Sequence, residues 1–219
     1  MDLMELGAKV GAYYIPFLFA LCFHEFAHGW VAKLRGDNTA QMMGRLTMNP
    51  LSHMDMIGTF LLPLFSIAFN TPIFFGWAKP VPVNARNLKN PRKDMFWVAL
   101  AGPLSNLLLA LIGALIIGIT ARYLLVSEVV MSFLKIVKIF ITTNLFLAVF
   151  NLIPLNPLDG GKVLARFLPA HLNYKLEQNE HITSMILMVL ILTGALHVLS
   201  IPVFWGQELL MKTALGGLL

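Results

Sequence analysis

Charged side chains are scarce in this sequence. Asp, Glu, Lys and Arg make up 12% of its 219 residues, against about 25% in an ordinary soluble domain, so the chain cannot cover a globule with water-compatible surface. Cysteine is scarcer still: the lone Cys22, read as a core residue, can neither close an intramolecular disulfide nor build a Cys-rich metal framework. Internal repeats, Ser/Gly linkers and low-complexity tracts are missing, and the stretches between apolar runs are too short for a separate soluble domain. The net charge of +5 rests on few basic residues, and these cluster beside apolar runs as topology signals, which argues against a nucleic-acid partner. A 58% hydrophobic composition with a mean hydropathy of +0.75 excludes disorder. What remains is a multi-pass membrane protein with the lipid bilayer as its surroundings. It reads as a single membrane-embedded domain over 1–219, with a core over about 10–168. No signal-peptide pattern precedes the first apolar run, so the N-terminus is expected to be retained.

A spanning helix needs about 20 mostly apolar residues, and four stretches qualify: 10–32, 95–120, 131–155 and, as a C-terminal transmembrane helix, 182–205. A fifth apolar run, 56–69, is too short to span comfortably. After it comes a segment, 72–84, that is apolar yet carries Gly76 and the prolines Pro72, Pro80 and Pro82, which forbid a helix and favour extended or turn structure. Irregular backbone at membrane depth is tolerated only where protein or a water-filled cavity surrounds it. The fold class expected is therefore an all-α polytopic membrane protein. It has about four full transmembrane helices, a re-entrant or short apolar segment, and a small extended or β-hairpin element near the functional site.

Inside the first span lies His24-Glu25-Phe26-Ala27-His28, an H-E-x-x-H pattern. On a helix the two histidines share one face, so two imidazole nitrogens can reach one metal ion while the intervening Glu points toward a neighbouring water. Ionisable groups at membrane depth cost about 2.5–3.5 kcal/mol each near the centre of a span, so three of them within five residues need partners or a function. A catalytic zinc typically takes three protein ligands and a water, so a third ligand must come from elsewhere. Of the 11 acids most stand at membrane borders, whereas Asp159 sits in Asn151-Leu-Ile-Pro-Leu-Asn-Pro-Leu-Asp159-Gly-Gly161. There Pro154 and Pro157 open the helix and the glycines allow close packing, so the carboxylate can turn inward. The alternative is a loop aspartate in an Asp-Gly turn.

The His24–His28 pattern, together with Asn156-Pro157-Leu158-Asp159-Gly160-Gly161 and the intervening Ala101-Gly102-Pro103-Leu104-Ser105-Asn106, resembles the site-2 protease family of intramembrane zinc metalloproteases. The segments 75–83 and 44–53 are similar to the compact prokaryotic branch without PDZ or CBS modules. The resemblance implies that His24, His28 and Asp159 bind one zinc ion, that Glu25 is the catalytic base, and that the reaction is regulated intramembrane proteolysis of a transmembrane protein substrate. Asn151 is the best candidate for an oxyanion stabiliser, with Asn106 behind it. Interhelical hydrogen bonding is the alternative for both and the favoured use for Asn106. The segment 74–83 offers a strand edge to an unwound substrate by β-augmentation, or else a structural shield over the site. His53 and Asp55 are candidates for hydrogen bonding a ligand or for a border position. His171, His181 and His197 read as interfacial or packing residues.

Metal ligands on two spans must lie at one depth, so those spans run parallel and an odd number of crossings separates them. If 56–69 is re-entrant, Lys33, Arg35, Arg45, Lys79, Arg86, Lys89, Arg92, Lys93, Lys162, Arg166 and Lys175 face one side and Lys9, Arg122, Lys135, Lys138 and Lys212 the other, an 11 to 5 division of the 16 basic residues. The positive-inside rule then places the site nearer the cytoplasmic side of a cell membrane. A non-proteolytic membrane metal-binding protein or metal transporter with the same ligands is the rival reading, and a purely structural bundle a second. Glu25 argues against the transporter, which needs no general base. A regulatory membrane protein and self-association stand as further partner classes.

Overall fold

The computed structural model describes residues 2–69, 76–125 and 127–216. Among the described residues, three helices are long and apolar enough to cross a membrane: α1 (Leu3–Leu34), α3 (Pro91–Tyr123) and α4 (Glu128–Asn151). Between the first two lies the short apolar helix α2 (Met56–Ala68). After α4 come α5 (Asp159–Ala165), α6 (Ala170–Gln178), α7 (Glu180–Leu192) and α8 (Ser200–Ala214).

The bundle of α1, α3 and α4 carries the site, and its boundaries follow from local chemistry. Pro91 opens α3, where its missing N–H is no loss, and the Asp94 carboxylate accepts from the Asn90 N–H at 2.7 Å. The Ser127 hydroxyl caps α4 through the Val130 N–H. Small residues on α3, Ala110 and Ala114, let α4 approach closely, and with Ile117 they pack against Val137, Ile141 and Leu145, joined by Val203 of α8. A second apolar cluster, Tyr14, Phe17, Ala20, Leu21, Ile67 and Leu147, docks α2 against the first half of α1.

The expected fourth span is broken. α7 ends where Gly194 adopts the left-handed conformation (φ 72°), and the helix pair Glu180–Leu192 and Ala195–Ala214 is bent by 82°. A run of apolar residues satisfies a hydropathy reading of 182–205, but a backbone turn of that kind ends the helix whatever the flanking side chains.

The chain that enters α2 returns beside its own start. The Lys79 N–H donates to the His53 carbonyl at 2.9 Å, the Trp77 N–H to the Gly58 carbonyl at 3.1 Å, and the Thr59 hydroxyl to the Trp77 carbonyl at 2.6 Å. His53 and Asp55 serve this hairpin-like path and touch no ligand. The His53 ring donates to the Thr47 carbonyl, and the Asp55 carboxylate caps α2 through the Ile57 and Gly58 N–H groups. Among the described residues there is no β-strand. Residues 76–84 are extended, but their hydrogen bonds go to turns and side chains rather than to a partner strand, so the expected β-hairpin is corrected to an extended segment as far as it is described. Residues 70–75, on which that expectation also rests, lie outside the described residues.

The far end of this segment is fixed by Asp37, just beyond α1. Its buried carboxylate accepts from the Thr39 N–H and hydroxyl, the Asn84 N–H at 2.6 Å and the Asn87 side-chain amide at 2.9 Å. Burial pushes the Asp37 carboxyl upward, but the donors of Thr39, Asn87 and Asn84 outweigh it and hold the group below its ordinary value. Such a group stabilises the fold fully above the unfolded carboxylate range, and that contribution is lost only as pH falls through the lower folded value. Asp37→Ala is expected to destabilise the protein by about 2–3 kcal/mol in detergent thermal unfolding. The deficit relative to wild type should be constant from neutral to mildly acidic pH and shrink only below the carboxylate range.

Candidate metal centre

His24 and His28 lie one turn apart on α1, their rings edge to face with centroids 4.6 Å apart. Asp159 arrives from the first turn of α5. After Asn151 the chain unwinds through Pro154 and Pro157, then folds tightly over the start of α5, where a side chain at Gly160 would collide with the Leu152 and Ile153 carbonyls. The result puts Asp159 Oδ2 at 3.0 Å from His24 Nε2 and 3.2 Å from His28 Nε2, with all three side chains buried. The three candidate ligand atoms lie within 4.8 Å of one another.

The other ring nitrogens show what this cluster lacks. His28 Nδ1 lies 2.7 Å from the Val98 carbonyl, which can only accept, so Nδ1 carries the proton. His24 Nδ1 lies 2.7 Å from Asn106 Oδ1 and is likewise the donor. In the neutral rings both Nε2 atoms therefore present lone pairs toward a carboxylate. Three electron-pair donors converge where burial makes an unpaired charge costly, an arrangement that a cation satisfies. Two imidazoles and one carboxylate form a donor set used by catalytic zinc sites, and outer hydrogen bonds to the ring N–H groups are the usual support of such ligands. Neighbouring donors on one zinc ion stand about 3.3 Å apart for bonds near 2 Å, close to the spacing found here.

Gly102 completes the cradle. A Cβ at this position would lie 2.5 Å from Nε2 of both His24 and His28, so only glycine leaves room for the rings and an ion between them. Gly102 lies within the Ala101–Asn106 motif but signals no role in the sequence, because a missing side chain announces nothing until its neighbours are known.

A cavity of about 560 Å³ opens at the centre and is lined by His24, Glu25, His28, Asp159 and Asn151 and by the extended segment. Glu25 is buried, and its Oε2 accepts from the Val81 N–H at 2.8 Å. Among the described residues its other oxygen has no partner. Asn151 lines the cavity while its side-chain amide donates to the Leu147 carbonyl at 3.0 Å. Asn106 lies behind His24 and lines no part of the cavity. His171, His181 and His197 are exposed and lie outside the cluster, and Cys22 is buried.

The sequence profile described as Peptidase family M50 matches residues 12–132 and 116–194. The chain belongs to peptidase family M50. Among curated proteins, this M50 peptidase is 38% identical over 183 residues to “Putative zinc metalloprotease YwhC” of Bacillus subtilis, covering 82% of this chain and 79% of that protein. It is 32% identical over 184 residues to “Putative zinc metalloprotease Rip2” of Mycolicibacterium smegmatis, covering 82% of this chain and 66% of that protein. Its counterpart of the same name in Mycobacterium tuberculosis H37Rv is 29% identical over 180 residues, with 82% and 66% covered. No solved structure matches the chain.

For this M50 peptidase, Gly102→Ala is expected to fold but to lose most of its bound zinc, because the new methyl group occupies the space between the two imidazoles. Metal analysis of the purified protein, alongside its thermal unfolding, checks this; near-stoichiometric zinc in the variant would place the metal elsewhere.

Proposed function

We propose that this M50 peptidase hydrolyses a peptide bond within or beside the membrane-embedded segment of a single-span protein, with one zinc ion held by His24, His28 and Asp159. The observation that carries the reading is Glu25. A buried carboxylate lines the same cavity as the three donors, one oxygen fixed by a backbone N–H and the other without a partner among the described residues. A transporter gains nothing from such a group, whereas hydrolysis needs it.

Zinc at this position supplies a Lewis acid for the scissile carbonyl and for the attacking water. Glu25 Oε1 takes a proton from that water as its oxygen bonds to the carbonyl carbon. It then delivers the proton to the amide nitrogen as the C–N bond breaks. The Val81 N–H holds Oε2 and so keeps Oε1 turned to the cavity. Asn151, with one amide hydrogen engaged on its own helix, has a second to offer the developing oxyanion.

A substrate helix hides its peptide groups in its own hydrogen bonds and must unwind before attack. The extended segment offers an edge for the unwound chain. Trp77 and Lys79 point their N–H groups outward to Gly58 and His53, whereas Ala78, between them, lines the cavity with no backbone partner among the described residues. The return of Lys79 to His53 supports a dip-and-return path for 56–79. With it, the 11 to 5 basic division supports a site nearer the cytoplasm.

Glu25→Gln is expected to keep its zinc while cleavage of a single-span substrate in proteoliposomes falls by at least about 10²-fold. Asn151→Ala should also keep zinc and fall by about 10²-fold. Wild-type cleavage by Glu25→Gln rejects the mechanism. A separate variant, Ala78→Pro, removes one N–H from the edge. It should slow cleavage without zinc loss, and an unchanged rate would leave the segment a shield only.

A further inference from the structure

The back of His24 is wired more elaborately than a helix contact requires. Asn106, fully buried on α3, presents Oδ1 to His24 Nδ1 at 2.7 Å. Its amide nitrogen donates to the Ala20 carbonyl at 3.1 Å and to Asn144 Oδ1 at 2.9 Å. Asn144, fully buried on α4, donates in turn to the Phe140 carbonyl at 2.9 Å. A carboxamide has one accepting and one donating end, and the two can be exchanged by rotation of the side chain. Here the rotation is forbidden. The Ala20 and Phe140 carbonyls accept only, so Asn144 must turn its nitrogen to Phe140 and its oxygen to Asn106. Asn106 must then turn its nitrogen to Asn144 and Ala20. Only oxygen is left for His24.

We propose that Asn106 and Asn144 form a directional relay that sets the tautomer of His24, forcing the proton onto Nδ1 and the lone pair of Nε2 toward the metal position. Both asparagines are positioning residues: neither lines the cavity, and Asn144 touches no ligand. Were the Asn106 amide reversed, its N–H would require a lone pair on Nδ1. The proton would move to Nε2, where it blocks the ion and faces Asp159. The relay spans α1, α3 and α4, so the packing of three helices is read out as the protonation pattern of one ring. His28 has no such arrangement, because a backbone carbonyl fixes its Nδ1 directly. The two ligands are thus oriented by independent devices, one built into the backbone and one into side chains.

The inference rests on the metal reading of His24 but not on proteolysis, and its test is made on zinc-free protein. Full-length protein labelled with ¹⁵N-histidine, in detergent at a pH where the ring is neutral, reports the tautomer directly, with His24→Gln assigning the signal. Wild type is expected to show His24 protonated at Nδ1. Asn106→Asp, as a neutral carboxyl whose hydroxyl takes over the donation to Ala20 or Asn144, keeps an acceptor opposite Nδ1 and should keep that tautomer. Asn106→Leu should give a mixed population, together with a loss of zinc affinity of about 10–100-fold in chelator competition, and Asn144→Leu, which leaves the Ala20 carbonyl to orient Asn106, a smaller change of both in the same direction. Asn144→Leu is the decisive variant, because it leaves every contact of His24 in place. A wild-type His24 protonated at Nε2 overturns the proposal, as does a wild-type tautomer and zinc affinity in Asn144→Leu. Failure of the cleavage assay with the expected tautomers would count against the proteolytic reading and leave the relay standing.

Discussion

The convergence of two imidazole lone pairs and a carboxylate on one buried point is the constraint around which this molecule is organised. His24 and Asp159 are 135 residues apart and meet at 3.0 Å. Without a cation the three groups would be unsatisfied acceptors in a medium of low polarity, which is costly. The helices answer this demand from three directions. α1 supplies both rings at one-turn spacing, the unwound end of α4 hands Asp159 to the start of α5, and α3 lies behind the rings. Its Val98 carbonyl and Asn106 take the ring protons, and Gly102 leaves space at the front. The same stretch of α3, between Val98 and Asn106, therefore supports both ligands.

The extended segment solves a second problem. Backbone without helix or strand is expensive at membrane depth, and here four donors of the segment have a fixed place to go. Trp77, Lys79, Val81 and Asn84 donate to Gly58, His53, Glu25 and Asp37, and the prolines at 80 and 82 have no N–H to satisfy. Pro80 and Pro82 thus lower the cost of laying an irregular segment beside the site. One of its satisfied donors is at the same time the group that orients the Glu25 carboxylate.

Much of this was legible in the sequence because it concerns side chains with unmistakable chemistry. A His-x-x-x-His pair on an apolar helix, and an aspartate isolated among prolines and glycines, stand out where charge is rare. The three long helices, α1, α3 and α4, were likewise plain from hydropathy. What escaped was set by backbone geometry or by absence. Gly194 breaks the last apolar run through a left-handed turn that hydropathy cannot register. Gly102 matters for an atom it does not have. His53 and Asp55 stood as candidates for hydrogen bonding a ligand, but they cap and tie the path around α2, since exposed helix ends need partners as urgently as a metal does. Asn144 gave no signal at all, because its importance lies in the direction of a partner's amide.

Polar groups inside this bundle fall into two kinds, and the difference locates the chemistry. Most form closed circuits: Asn106, Asn144 and the carbonyls of Ala20 and Phe140 exhaust one another, as do Asp55 and the first N–H groups of α2. Among the described residues, the fully enclosed side-chain atoms without a partner are Tyr14 Oη, Arg45 Nε and His53 Nδ1, none of which lines the cavity. Among the described residues, only around the cavity do several unfilled capacities face one space: two Nε2 lone pairs, the Asp159 carboxylate and the second oxygen of Glu25. A closed circuit stabilises and specifies a fold. A set of open ones, held rigid by closed circuits behind them, is preorganised for an ion, a water and a strained carbonyl group, since no native hydrogen bond must break before those ligands are met.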